Sequence, residues 1–202
     1  MTAVKICGIT RADDALRAAD LGARAVGVVL WPDSPRAVSV ARAAAIVRRL
    51  PPYVTPVGVF VRPTRADVSA CVDATGIRVV QVHGLLKLDG LEGPWTVIPA
   101  VRLGAAPGHV EPEMPDAATV LIDAHDPVRH GGTGVAVDWE AAALVAARRR
   151  VILAGGLTPA TVARAIEVVR PYAVDVASGV EAAPGVKDPA KMRAFIEAVR
   201  TS

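Results

Sequence analysis

Aromatic side chains are scarce in this 202-residue chain, at only 3%, which excludes a stacking platform for single-stranded nucleic acid. Cysteine is scarcer still. Cys7 and Cys71 alone cannot build a disulfide framework or fill a zinc site. No apolar run comes near the roughly 20 residues that a membrane helix needs. The stretch from Met1 to Gly8 reaches a turn before a signal-peptide core can form. A reducing, cytoplasmic setting off the membrane is the expectation. A large charge of one sign is missing too: 23 Lys+Arg against 20 Asp+Glu leave +3, too little to argue for nucleic acid as a partner. What is present is apolar material for a core. With 52% hydrophobic and 21% charged residues, disorder is excluded, and the length suits one domain over residues 1–202.

Short β-branched runs recur along the chain: Ala3–Cys7, Ala25–Leu30, Val57–Val61, Val79–His83, Val97–Val101, Val120–Asp123, Val151–Ala154 and Val174–Ala177. Most are near-continuous apolar stretches, the pattern of parallel strands covered on both faces. Alanine-rich amphipathic segments separate most of them and carry helix-start signals. Thr10 and Thr64 each precede Arg-Ala-Asp and are expected to cap a helix, with the aspartate suiting its positive end. Ser39 and Asp138 are further cap candidates, and Thr158-Pro159 and Asp188-Pro189 place proline for the first helical position. Arg48-Arg49 and Arg148-Arg149-Arg150 fall where helix C-termini stabilise cations. The stretches 84–94 and 104–116, rich in glycine and proline, leave two helices short or irregular. Eight strand signals with helices between them fit an α/β single-domain (β/α)8 TIM barrel. The alternative, a doubly wound sheet, lacks its Gly-x-Gly-x-x-Gly turn after the first strand, where the chain reads Cys7-Gly8-Ile9-Thr10.

A barrel gathers its chemistry at the C-terminal strand ends. There the sequence offers Cys7, Arg36, His83, Asp123 and Asp175, a thiol, a guanidinium, an imidazole and two carboxylates. Gly155-Gly156 after the seventh strand and Ser178-Gly179 after the eighth suit a phosphate, because glycine lets backbone N–H groups approach an anion closely. Cys71 reads as a buried small hydrophobe on its helix. Cys7 stands between a strand and a glycine turn, where a thiolate favoured by positive charge can act as a base. A desolvated Asp123 can act as the partner acid. The loop Gly131-Gly132-Thr133-Gly134 is built to close over a ligand. His125 and His130 lack metal-site spacing, so no metal is expected.

The ordered set Val4-Lys5-Ile6-Cys7-Gly8-Ile9-Thr10, Ser34-Pro35-Arg36, Gln81-Val82-His83-Gly84, Leu121-Ile122-Asp123, Gly131–Gly134, Ala154-Gly155-Gly156-Leu157 and Val174-Asp175-Val176-Ala177-Ser178-Gly179-Val180-Glu181 resembles the phosphoribosylanthranilate isomerase family. The resemblance implies a tryptophan-biosynthesis enzyme performing an Amadori rearrangement with no cofactor. Carried over, Asp123 is the general acid that opens the ribose ring and Cys7 the general base at the neighbouring sugar carbon. Arg36 meets the anthranilate carboxylate, Asp175 the substrate's amino group, and Gly155, Gly156, Ser178 and Gly179 the phosphate. His83 is assigned to the anthranilate pocket and Gly132, Thr133 and Gly134 to the closing loop. After His83-Gly84 the chain departs from the family, with Leu85-Leu86-Lys87 where an acidic residue is usual. A barrel isomerase of histidine-pathway substrates, which pairs two aspartates, would want one near the place of Cys7. A non-catalytic phosphosugar binder would not need both acid and base. The expected ligand is a phosphorylated small molecule, and the assembly a monomer or homodimer.

Overall fold

A computed structural model describes residues 1–84, 90–101, 119–123 and 139–202. Eight strands, β1 (Ala3–Ile6), β2 (Ala25–Val29), β3 (Thr55–Val61), β4 (Val79–His83), β5 (Thr96–Val101), β6 (Val120–Asp123), β7 (Val151–Ala154) and β8 (Ala173–Val176), pair in sequence order. All pairings are parallel, and β1 closes the ring on β8 with Lys5 opposite Asp175. Each expected run is a strand, within one or two residues at its ends. Between them lie α1 (Ala12–Leu21), α2 (Val40–Val47), α3 (Arg65–Thr75), α4 (Trp139–Ala146) and α5 (Val162–Val169), and α6 (Pro189–Arg200) ends the chain. A short antiparallel pair, β9 (Glu181–Ala183) and β10 (Val186–Lys187), follows β8. The described residues between β4 and β5 hold no helix. The stretch 104–116, the Gly131–Gly134 loop, His125, His130 and Asp138 lie outside the described residues.

Period two sorts the side chains. Val4, Ile6, Val26, Val28, Val80, Val82, Ile122, Leu153, Val174 and Val176 belong to the large core between barrel and helices. The helices answer with i, i+3, i+4, i+7 stripes: Val162, Ala165, Ile166 and Val169 on α5, and Met192, Phe195, Ile196 and Val199 on α6. The opposite strand faces fill the barrel. Leu121, Ile152, Ala154 and Ala173 pack with Ala3, Ile98 and Ala100. A second layer holds Cys7, Val29 and Val59 with Ala177.

Two caps follow expectation, and Pro189 takes the expected first position of α6, which Asp188 caps in addition. Ser39 accepts from the Arg42 N–H, Asp188 from the Ala190 and Lys191 N–H groups, and Thr64 and Asp67 form a reciprocal capping box. Two expectations are corrected. Thr10 caps nothing: its hydroxyl donates to the Gly185 carbonyl, and α1 starts after Arg11 with no side-chain cap. Pro159 is not at the first helical position of α5, which begins at Val162. Pro159 instead sits in a preceding turn whose Thr158 carbonyl accepts from the N–H groups of Thr161 and Val162.

Candidate active site

The strand ends carry the side chains that the barrel rule selects. Cys7 continues β1 and is buried within the upper interior layer. Asp175, on β8, is buried beside it. Asp123 ends β6 opposite Ala154 of the interior layer, so its side is the barrel's inner one. Counting round the ring through β8 and β7, β6 stands three strands from β1. Acid and base therefore approach the mouth from different sides. His83 ends β4, half-buried.

Beneath this rim runs a polar belt that the motif reading did not assign. Lys5, only 3% exposed, donates from Nζ to Asp175 Oδ2 and to Gln81 Oε1, both at 2.9 Å. An ammonium only donates, which makes the bonded Gln81 atom its carbonyl oxygen. The Gln81 amide nitrogen then donates to His83 Nε2 at 2.8 Å, so Nε2 is the unprotonated ring nitrogen. Asp175 Oδ1 is buried and has no hydrogen-bond partner among the described residues. An orphaned buried acceptor costs about 1–3 kcal/mol and marks a group held for something else. Lys5 and Gln81 sit two residues before Cys7 and His83. The parity that aims the rim residues inward also aims these two, and that signal is present in the sequence.

Burial pushes the Cys7 thiol above its ordinary range, while the Lys5 ammonium pulls the other way and Asp175 pushes up again. Positive charge beside Cys7 is as expected, but in the unliganded chain it does not outweigh burial. For Lys5, burial disfavours the ammonium, and the contacts with Asp175 and Cys7 overcome it, raising its pKa. Cys71, on α3, is buried at 1% exposure as expected, and burial raises its thiol.

Arg36 lies in the loop after β2 and is clamped by a carboxylate that the motif reading left without a role. Its Nε donates to Glu181 Oε1 at 2.9 Å and its Nη2 to Oε2 at 2.7 Å. Lys187 Nζ donates to the same carboxylate at 2.8 Å. No local pattern announces this, since Arg36 and Glu181 meet only through the closed ring. The loops after β7 and β8 come together: Gly155 and Gly156 take φ of 88° and 63°. A Cβ on Gly179 would sit 2.0 Å from the Leu157 carbonyl oxygen, so only glycine permits that approach. Gly132, Thr133 and Gly134 are outside the described residues. Among the described residues no cluster of His, Cys, Asp or Glu could hold a metal ion, and no helix is long and apolar enough to cross a membrane. A cleft of about 420 Å³ at the opposite end of the barrel, lined by Met1, Arg24, Tyr53 and Tyr172 among others, touches none of these side chains.

Residues 4–198 match the family described as N-(5'phosphoribosyl)anthranilate (PRA) isomerase. The N-(5'-phosphoribosyl)anthranilate isomerase of Pseudomonas aeruginosa (strain UCBPP-PA14) is 46% identical over 205 residues, spanning 98% of this chain and 95% of that protein. Phosphoribosyl anthranilate isomerase from Thermotoga maritima, described as dimeric, has a solved structure that superimposes with a TM-score of 0.87 at 35% identity, covering 100% of both chains. A structure of a phosphoribosyl anthranilate isomerase in complex with reduced 1-(o-carboxyphenylamino)-1-deoxyribulose 5-phosphate gives a TM-score of 0.84 at 33% identity, again covering 100% of each. The match runs from the first strand into the last helix and takes in both halves of the polar rim, and the chain belongs to the phosphoribosylanthranilate isomerase family.

Proposed function

We propose that the chain, acting as one catalytic unit over residues 1–202, converts N-(5-phosphoribosyl)anthranilate into 1-(2-carboxyphenylamino)-1-deoxyribulose 5-phosphate by general acid–base catalysis. Asp123 protonates the ribose ring oxygen, the bond from that oxygen to C1 breaks, and the nitrogen lone pair forms an iminium. Cys7, as thiolate, removes the proton from C2, and the C–H electrons move toward the iminium to give an enolamine. Loss of the C2 hydroxyl proton and protonation at C1 yield the ketone. The substrate's own nitrogen is the electron sink, so the chemistry needs no cofactor. A thiolate with a carboxylic acid carries the same net charge as a thiol with a carboxylate, so the productive form is a matter of where one proton sits.

The observation that supports this reading most is Asp175. Lys5 holds one of its carboxylate oxygens, and the other is buried with no hydrogen-bond partner among the described residues, an acceptor for the substrate's amino N–H. Glu181 occupies the Nε–Nη2 edge of Arg36, which leaves Nη1 for the anthranilate carboxylate. His83 borders the anthranilate, Gly132, Thr133 and Gly134 close over the site, and Gly155, Gly156, Ser178 and Gly179 offer backbone N–H groups to the phosphate. The partner is thus a phosphorylated small molecule, not nucleic acid or a membrane. The protein works in the cytoplasm as a monomer or a homodimer, which sedimentation distinguishes. Turnover is read from the loss of substrate fluorescence with freshly made phosphoribosylanthranilate. Cys7→Ala and Asp123→Asn are each expected to abolish it while binding of a product analogue persists. Turnover retained in either variant removes that residue from its role.

A further inference from the structure

We propose that Lys5 is a positioning residue for the isomerisation: its ammonium, sealed inside the barrel, favours the thiolate form of Cys7 and fixes the orientation of Asp175. This rests on the reading of Cys7 as the base. Lys5 has three protons to donate. Asp175 Oδ2 and Gln81 Oε1 take two of them at 2.9 Å, and Cys7 lies two residues further along the chain on the same inward side of the barrel. The neighbouring strand makes room for the arrangement. A Cβ on Gly27 of β2 would lie 2.8 Å from Cys7 Sγ and 3.1 Å from Lys5 Nζ, so any side chain there would disturb both.

The energetic case follows from burial. A buried ammonium costs several kcal/mol unless it is paired and hydrogen-bonded, and a packed apolar residue would serve a barrel interior better. Lys5 sits where its charge acts on a thiol that needs to ionise. It also ties down one oxygen of Asp175 and so aims the other. Among the described residues, the other charged groups whose fields reach Cys7 are Asp175 on β8, Lys187 on β10 and Arg36 from the loop after β2, and His83 and Asp123 stand at the ends of β4 and β6. Lys5 is the cation nearest the sulfur on its own strand, two residues away and on the same face.

The test reads the ionisation of Cys7 directly, as the pH dependence of its alkylation by iodoacetamide in a Cys71→Ala background. Lys5→Met keeps an unbranched chain of similar length and removes the charge. It is expected to move the thiol titration upward by a pH unit or more, slowing alkylation near neutral pH by about tenfold. Asp175→Asn removes the opposing negative charge, and alkylation is expected to speed up. The double variant should fall between the two. A merely structural role would expose the sulfur in both single variants and accelerate both, so shifts of the same sign overturn the proposal, as does an unchanged titration in Lys5→Met. If Lys5→Met does not fold, the Asp175→Asn and double variants still decide, because the double must titrate above Asp175→Asn.

Turnover supplies a second readout. The kcat of Lys5→Met is expected to fall by about tenfold at neutral pH, in step with its thiolate fraction, and an unchanged kcat counts against the proposal. Turnover retained in Cys7→Ala overturns the base assignment instead, a failure distinct from an unchanged thiol titration.

Discussion

Glu181 is a single carboxylate that holds two cations. Burial pushes it up, but hydrogen bonds from Arg36 and Lys187 win and bring its pKa below the ordinary value. Lys187 shares that one carboxylate with Arg36, so for Lys187 burial wins and its pKa is lowered. The linkage sign follows from the depressed carboxylate. Its contribution to stability is complete above the unfolded-state value, about 4.3, and is lost as pH falls through the lower folded-state value. Glu181→Gln is expected to flatten the acid side of the curve of Tm against pH, and an unchanged acid limb would contradict this. The same clamp fixes the Arg36 fork. Arg36→Lys keeps the charge and loses the planar pair of donors. It is expected to raise KM by about tenfold or more with a smaller change in kcat, measured by steady-state turnover.

At the scale of elements, one tetrapeptide occurs twice with two outcomes. Thr-Arg-Ala-Asp stands at 10–13 and again at 64–67. At α3 it builds a full capping box. At α1 the threonine hydroxyl is taken by the Gly185 carbonyl, from the turn between β9 and β10, and the helix starts after Arg11 without a side-chain cap. Local propensity is the same in both places, so a tertiary partner 175 residues away decides. Thr64→Ala should therefore cost about 1 kcal/mol of stability, as caps do, with a matching fall in urea midpoint. Thr10→Ala instead unties α1 from the β9–β10 turn. The strands were legible for the opposite reason. Residues covered on both faces must be apolar whatever their neighbours, so the runs at 120–123 and 151–154 announce themselves. The rim residues were legible once the barrel was assumed, because strand ends share one mouth. Lys5 and Gln81 needed more: Lys5 meets Asp175 across 170 residues of sequence only because β1 pairs with β8.

For the whole molecule, the alternation of strand faces separates two tasks. The outward faces and the helices make the large core, and the inward faces make a smaller interior that ends in the polar belt and the mouth. Stability and chemistry are thus carried by neighbouring residues of the same strands, with few side chains serving both. Phe195 tests this separation. It lies on α6, fully buried at 0% exposure, in the core shared with the outward strand faces. Phe195→Ala removes the ring and leaves a cavity, a change that costs about 3–5 kcal/mol in well-packed cores. Against a total stability of about 5–15 kcal/mol, that is a large loss, and the urea midpoint should fall accordingly. Yet among the described residues no hydrogen bond or ion pair joins an α6 side chain to Cys7 or Asp175, so the folded fraction at low temperature should keep a kcat within about twofold of wild type, since sites that share no partners couple weakly. A kcat that falls in step with stability would mean that the outer core also sets the geometry of the mouth, and that the two faces of each strand do not act independently.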